Sequence, residues 1–331
     1  MPMPAKVSAA PAEPSEPGDL LYPMFVVPIR TMIDIANADA PLPSHEEVAD
    51  KLVRWHESMG PVTFFSHTWL GYKHPDPSGD KQKLIAALLR GFLDGSVSIK
   101  AYWISAIVLG TKDVPAKQCK RDMDDSYVWL DYLSVPQAHR ENQLKAIQSI
   151  NQYIALSSKF IVLAGAWSHV DDGSVRDVRA WAERGWCRLE FLASALSPVR
   201  KAIIIAESPT CVFTYGPDGK IGRSWTHEVV GRGHFTVESD RTALGPTVEK
   251  MIDERVAQAD REHDLVTMRF LLARKRMLLD GTGLCPPRLP YAEWMQQMRF
   301  NGPTDGDRDG VGPLKFAAVE NRADLVGSPQ P

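Results

Sequence analysis

The chain has little cysteine: four among 331 residues (Cys119, Cys187, Cys211, Cys285), no two of them close together. That scatter excludes a disulfide framework and suits a reducing compartment, so a cytoplasmic location is expected. Long apolar runs are also missing. Residues 20–36 are interrupted by Pro23, Pro28, Arg30 and Asp34, and residues 101–110 fall short of the roughly 20 apolar residues that a helical membrane span needs. Neither sign of charge dominates. With 38 Lys and Arg against 41 Asp and Glu the net charge is −3, which argues against a nucleic-acid binder that works by bulk charge. The His-Glu-x-x-His and Cys-x-x-Cys patterns are absent, so no metal is expected. The GPDGK segment lacks the earlier glycine of a phosphate loop, and Gly231-Arg232-Gly233 does not join a strand to a helix as a dinucleotide fingerprint does. Residues 305–310 (DGDRDG) imitate the first half of a calcium loop, but Phe316 stands where the bidentate Glu belongs.

What is present is a composition typical of globular proteins, with 44% apolar and 24% charged residues, over a length that suits about two domains. Residues 1–18, rich in Pro, Ala and Glu, carry neither the apolar stretch of a signal peptide nor the arginines of a transit peptide and read as a disordered tail. Residues 19–59 read as an N-terminal helical extension. There Ser44 and Glu47 have capping-box spacing ahead of a helix over 45–55, which Gly60 and Pro61 end.

Residues 60–208 alternate between two periods. Apolar runs at 62–66 (VTFFS), 128–133 (VWLDYL), 160–164 (FIVLA) and 202–206 (AIIIA) predict strands. Helical stripes separate them: Leu84 to Leu93, with Asp80 as a candidate N-cap; Leu144, Ile147, Ile150 and Ile154; and Trp186, Leu189, Ala193 and Leu196. Strands joined by helices pair in parallel, and strands apolar throughout have both faces covered. The fold class is therefore α/β, a doubly wound, flavodoxin-like parallel sheet, with residues 96–126 as an insertion. A small, mainly helical region follows over 209–300. It opens with a hairpin of 211–215 and 220–225 around Gly-Pro-Asp-Gly, continues as a helix over 245–279 that breaks near Asp260, and ends in a short helix over 291–300.

Ligands collect at the carboxyl ends of strands in such sheets. Three patches fall there: Ser66, His67 and Trp69 after the first strand; Asp131 after the second; and residues 184–190 (RGWCRLE), where Trp186 and Glu190 share a helix face. Cys187, near a helix start, has a setting that lowers a thiol pKa, but no cysteine-protease signature flanks it and buried packing is the better reading.

The order FFSHTW, VWLDYLSVPQ, ALSS, KFIVLAG and GWCRLEF resembles the Toll/interleukin receptor (TIR) domain over roughly residues 60–206. The 96–126 segment is longer than that family usually allows, and His67 and Trp69 stand where it varies. Many TIR domains cleave NAD between nicotinamide and ribose with the Glu of a Trp-Cys-x-x-Glu motif. The resemblance therefore implies Glu190 as the catalytic residue and NAD as a substrate, with no cofactor. Ser66, His67, Trp69, Asp131 and Trp186 are the candidate substrate-binding residues. Asp131 either touches ribose or caps its loop, and His67 is either a ligand or a structural hydrogen-bond partner. The rival reading is a non-enzymatic module for protein partners that self-associates into a homo-oligomer through its TIR-like surface. A nucleoside-processing hydrolase or transferase of similar fold also uses one carboxylate. Finally, residues 309–318 and 323–326 resemble the opening of an ankyrin repeat, so that 301–331 is either a partial repeat docked on the helical region or a disordered tail.

Overall fold

The computed structural model describes residues 20–38, 40–199, 201–215, 229–302, 305 and 311–322. In chain order the elements begin with β1 (Phe25–Pro28), α1 (Ile29–Asn37), β2 (Val53–Arg54), β3 (Val62–His67), α2 (Asp80–Asp94), α3 (Trp103–Leu109), α4 (Ala116–Met123) and β4 (Tyr127–Leu130). They continue through α5 (Asp131–Ser134), α6 (Arg140–Gln148), α7 (Ile150–Leu156), β5 (Lys159–Leu163), β6 (Trp167–Ser168), β7 (Val175–Arg176), α8 (Val178–Glu183), α9 (Gly185–Leu196), β8 (Ile203–Ser208) and β9 (Cys211–Tyr215). Last come α10 (Ser239–Ala243), α11 (Gly245–Arg261), α12 (Leu265–Leu278), α13 (Tyr291–Gln297) and α14 (Pro313–Val319).

The four apolar runs form the parallel centre of one seven-stranded sheet of order β2-β1-β4-β3-β5-β8-β9. Side chains alternate between the two faces, and both faces are dry. Phe64, Trp129, Phe160 and Val162 join one cluster with α7, α9, α11 and α12. Phe65, Leu130, Ile161 and Leu163 join another with α1, α2 and α4. Register places Phe64 beside both Trp129 and Phe160, and the rings stack at centroid distances of 4.2 and 5.4 Å. That aromatic ladder ties the three central strands together.

Residues 19–59 differ from a helical extension. They supply α1 and two antiparallel strands on one side of the sheet, β1 on β4 and the edge strand β2 on β1. The Ser44–Glu47 pair does form, as Ser44 N–H donates to the Glu47 carboxylate at 2.7 Å, but it closes a turn rather than a helix. The helix over 45–55 loses to sheet pairing: Val53 faces Val26, and Trp55 N–H donates to the Met24 carbonyl at 2.8 Å. Gly79, not Asp80, is the N-cap of α2. The capping carboxylate comes from Asp76, which accepts from the Lys81 and Gln82 backbone N–H groups at 3.2 and 2.8 Å. The 144–154 stripe divides into α6 and α7 at Ser149, whose hydroxyl back-bonds to the Lys145 carbonyl and accepts from Leu21 N–H, both at 3.0 Å.

The strand predicted over 211–215 exists as β9, but it pairs with β8; its expected partner at 220–225 lies outside the described residues. The long helix breaks between α11 and α12, close to Asp260. These helices do not stand apart from the sheet: Val248, Met251, Ile252 and Leu271 belong to the same core as Phe64 and Phe160. A third cluster joins Trp294, Met298 and Phe300 to Phe316 of α14. The other ankyrin-like positions, 309, 310 and 323–326, lie outside the described residues, as does most of the calcium-like segment. Among the described residues no helix is long and apolar enough to cross a membrane, and no group of three or more His, Cys, Asp or Glu is placed to hold a metal.

Candidate active site

The chain runs from β3 out to β4 on one side and then returns to β5 on the other. The carboxyl end of β3 is therefore a topological switch point, where crossovers diverge and leave a crevice. A cavity of about 440 Å³ opens there. His67, Trp69, Asp131, Trp186 and Glu190 line it. Ser66, wholly buried, lies outside the lining and touches Glu190 from behind.

Glu190 sits on the second turn of α9 with 9% of its surface exposed. Ser66 Oγ donates to its Oε2 at 2.5 Å, and Trp181 Nε1 donates to Ser66 Oγ at 2.7 Å. The indole N–H is only a donor, so it occupies a lone pair of the hydroxyl and turns the hydroxyl proton toward Glu190. One carboxylate oxygen is thereby fixed. Burial pushes the Glu190 carboxyl up to about 8, the Asp131 charge adds to this, and the Ser66 hydrogen bond pulls it partly back.

Asp131 follows the last residue of β4 and opens α5. His67 Nε2 meets its Oδ1 at 2.8 Å, Trp69 Nε1 donates to Oδ2 at 2.8 Å, and Tyr132 N–H donates to Oδ1 at 2.7 Å. Burial raises the Asp131 pKa, but the His67 charge and these hydrogen bonds outweigh it, and the carboxyl stays below its usual range. The site thus holds two carboxylates of opposite character, one pushed toward the neutral acid and one held ionised. His67 has a side chain only 2% exposed; its Nε2 is engaged by Asp131, while its buried Nδ1 has no hydrogen-bond partner among the described residues. Lys81, buried under the same loop, donates to the carbonyls of Thr68 and Pro75 and so holds the backbone that carries Trp69.

Trp186 lies half-buried at the cavity, and its Nε1 donates to Asp240 at 3.1 Å. Cys187 is buried, its Sγ donating to the His67 carbonyl at 3.6 Å. Burial and the Glu190 charge push its thiol well above the ordinary value, contrary to what a helix start alone favours.

Sequence reasoning placed Arg184 in the 184–190 patch without giving it a role, and it missed Trp181, Arg176 and the segment 229–240, whose Thr236, Val237 and Asp240 complete the cavity wall. Trp181 is placed by α8, which Asp177 caps by accepting from the Arg179 and Ala180 N–H groups at 3.0 Å. An Asp three residues ahead of the Ala180-Trp181 pair was the one local signal for that short helix. No protein-family model, curated protein or solved structure matches the chain.

Proposed function

We propose that the chain is a TIR-like NAD glycohydrolase acting in intracellular signalling or defence, with Glu190 as its catalytic residue. The observation that carries this reading is the Glu190 carboxylate, desolvated, oriented by Ser66 and facing a cavity at the carboxyl edge of a parallel sheet. Nicotinamide leaves from a cationic pyridinium as a neutral molecule. The C1′–N bond breaks, its electron pair stays on the pyridine nitrogen, and no acid is required. A single carboxylate suffices to stabilise the positive charge that develops on ribose, and in a water-poor cavity that stabilisation is strong. Water then adds at C1′ and releases a proton, giving ADP-ribose. A positively charged ring placed against Glu190 lowers its pKa, so binding of the substrate itself favours the ionised form. Asp131 orders the loop that bears Trp69, and Trp186 offers a ring face for stacking on nicotinamide or adenine.

The test is to incubate the purified chain with NAD and follow free nicotinamide, alongside Glu190→Gln. Gln keeps the shape and removes the charge, so the expected loss is about 10²- to 10³-fold in rate, with the thermal melt of a folded protein retained. A folded variant of undiminished activity ends the catalytic role of Glu190. An inactive wild type at concentrations high enough for self-association leaves the non-enzymatic module as the better reading.

A further inference from the structure

The same cavity carries a cluster of positive charge that the chemistry at Glu190 does not use. Arg176, from β7, and Arg184, at the start of α9, both line it, with His169 beside them. The two guanidinium groups act on each other as like charges: Arg176 lowers the pKa of Arg184, whose burial already lowers it, and both depress that of His169. Arg176 has a carboxylate partner in Asp172, at 3.0 Å. Arg184 is half-buried, and its side chain donates to the neutral Thr236 hydroxyl at 2.9 Å; among the described residues no carboxylate stands within ion-pair distance of it. Meanwhile Glu190 responds to Asp131 and Ser66, not to either arginine. Asp240, on the same wall, favours the charged form of Arg184 from a distance without forming an ion pair with it, so Arg184 keeps guanidinium donors that no carboxylate contacts among the described residues. Two arginines that repel across a partly desolvated wall are stabilised by an anion between them. The planar fork of a guanidinium matches phosphate oxygens bidentately.

We propose that Arg184 and Arg176 form a seat for the diphosphate of a dinucleotide, in the cavity that presents Glu190 to the opposite, cationic end of the same ligand. The identity of that cationic end rests on the NAD reading above; the diphosphate seat does not. A dinucleotide with a positive ring at one end and a dianionic bridge in its middle has the charge order of this wall. Thr236 fixes one arm of Arg184, so the remaining N–H donors are held in place before the ligand arrives.

Calorimetric titration of the full chain with ADP, inorganic pyrophosphate, adenosine and nicotinamide riboside reads the seat without needing turnover. ADP and pyrophosphate are expected to bind, with an affinity that falls as salt rises. Arg184→Gln, which retains a donor for Thr236, should weaken ADP about 10- to 100-fold and flatten the salt dependence, as the loss of a charge-assisted phosphate contact does, while leaving nicotinamide riboside unchanged. Arg176→Gln, its folding checked by circular dichroism, should weaken ADP in the same direction and serves if Arg184→Gln does not fold. Wild-type chain that fails to bind ADP, or a folded Arg184→Gln that binds it as tightly as wild type, overturns the seat even if NAD is cleaved. Binding of ADP through Arg184 with no release of nicotinamide keeps the seat and removes the glycohydrolase reading.

Discussion

Ser66 and Trp181 are buried residues whose effect is legible in the pH dependence of Glu190. Because the hydroxyl donates to the carboxylate, it favours the charged form, and the indole behind it holds that polarity. If the ionised carboxylate is the working form, kcat/KM should rise with pH and level off above about 8, the value to which burial brings the group in the free protein. Ser66→Ala removes a stabiliser of the charged form, so the rising limb should move to higher pH and activity at neutral pH should drop, with recovery in alkaline buffer. Trp181→Phe keeps the ring in the core but frees the hydroxyl to turn; its limb should move the same way by less. Steady-state profiles of the three proteins decide this. A mutant with lower activity but an unmoved profile shows a packing role and no influence on Glu190.

At the scale of elements, the segment 229–240 is laid across the start of α9 by backbone contact. Gly185 N–H donates to the His234 carbonyl at 2.9 Å, and His234 N–H donates to the Glu183 carbonyl at 2.7 Å. The approach needs glycine on both sides: a Cβ on Gly233 would lie 2.4 Å from the Gly185 Cα, and one on Gly185 would lie 1.9 Å from the Phe235 ring. Gly233→Ala should therefore cost about 1–3 kcal/mol of stability, an overpacking cost, measured by denaturant titration. It should raise KM more than it lowers kcat, because the lifted segment carries Thr236 and Asp240 away from the wall while Glu190 stays on its helix. The Gly231-Arg232-Gly233 sequence thus has a packing purpose that no motif search describes. The four central strands were readable because burial on both faces leaves uninterrupted apolar runs. β1 and β2 were not, because strands four and two residues long, the first ending in Pro28, carry no period of their own. The 45–55 stretch imitated a helix, since Val48, Leu52 and Trp55 fall at helical spacing, and only the position of Met24 and Val26 in space favours the strand. Ser66, Asp131 and Glu190 were legible as residues at the ends of regular elements. Trp181 and Arg176 were not, because Trp181 stands behind Ser66 on the short α8 and Arg176 reaches the cavity from the short β6-β7 hairpin, elements whose placement is a matter of tertiary packing alone; Arg184 was legible only as the first residue of the 184–190 patch.

For the whole molecule, Glu190, Lys81 and Lys201 are buried titrating groups that move stability with pH around neutrality, and their signs differ. Glu190 has a folded pKa of about 8, above its usual 4.5. The folded state holds a proton that the unfolded chain has already lost, so its contribution is fully present below 4.5 and is lost as pH rises through about 8. Burial pushes Lys81 down to about 7 and Lys201 down to about 8, both from 10.5. Their contributions run the other way: present above 10.5, and lost as pH falls through about 8 for Lys201 and about 7 for Lys81. Wild-type stability therefore combines a falling and a rising limb that meet near neutrality. Glu190→Gln removes the falling limb and leaves the two lysines, each covered by backbone carbonyls, as they were. The stability of Glu190→Gln relative to wild type should consequently grow with pH between 4.5 and about 8 and then level off. The limiting slope is about 1.4 kcal/mol per pH unit for one full proton. Denaturant unfolding of both proteins at intervals from pH 5 to pH 9 measures that difference directly, and the lysine contributions cancel within each pair. A difference that stays flat with pH means that Glu190 is solvated, and with that the desolvated carboxylate on which the proposed chemistry depends is gone. A difference that rises as described, in a variant that no longer releases nicotinamide, shows one group costing the fold stability at the pH where it is ionised and active, as strained catalytic groups do.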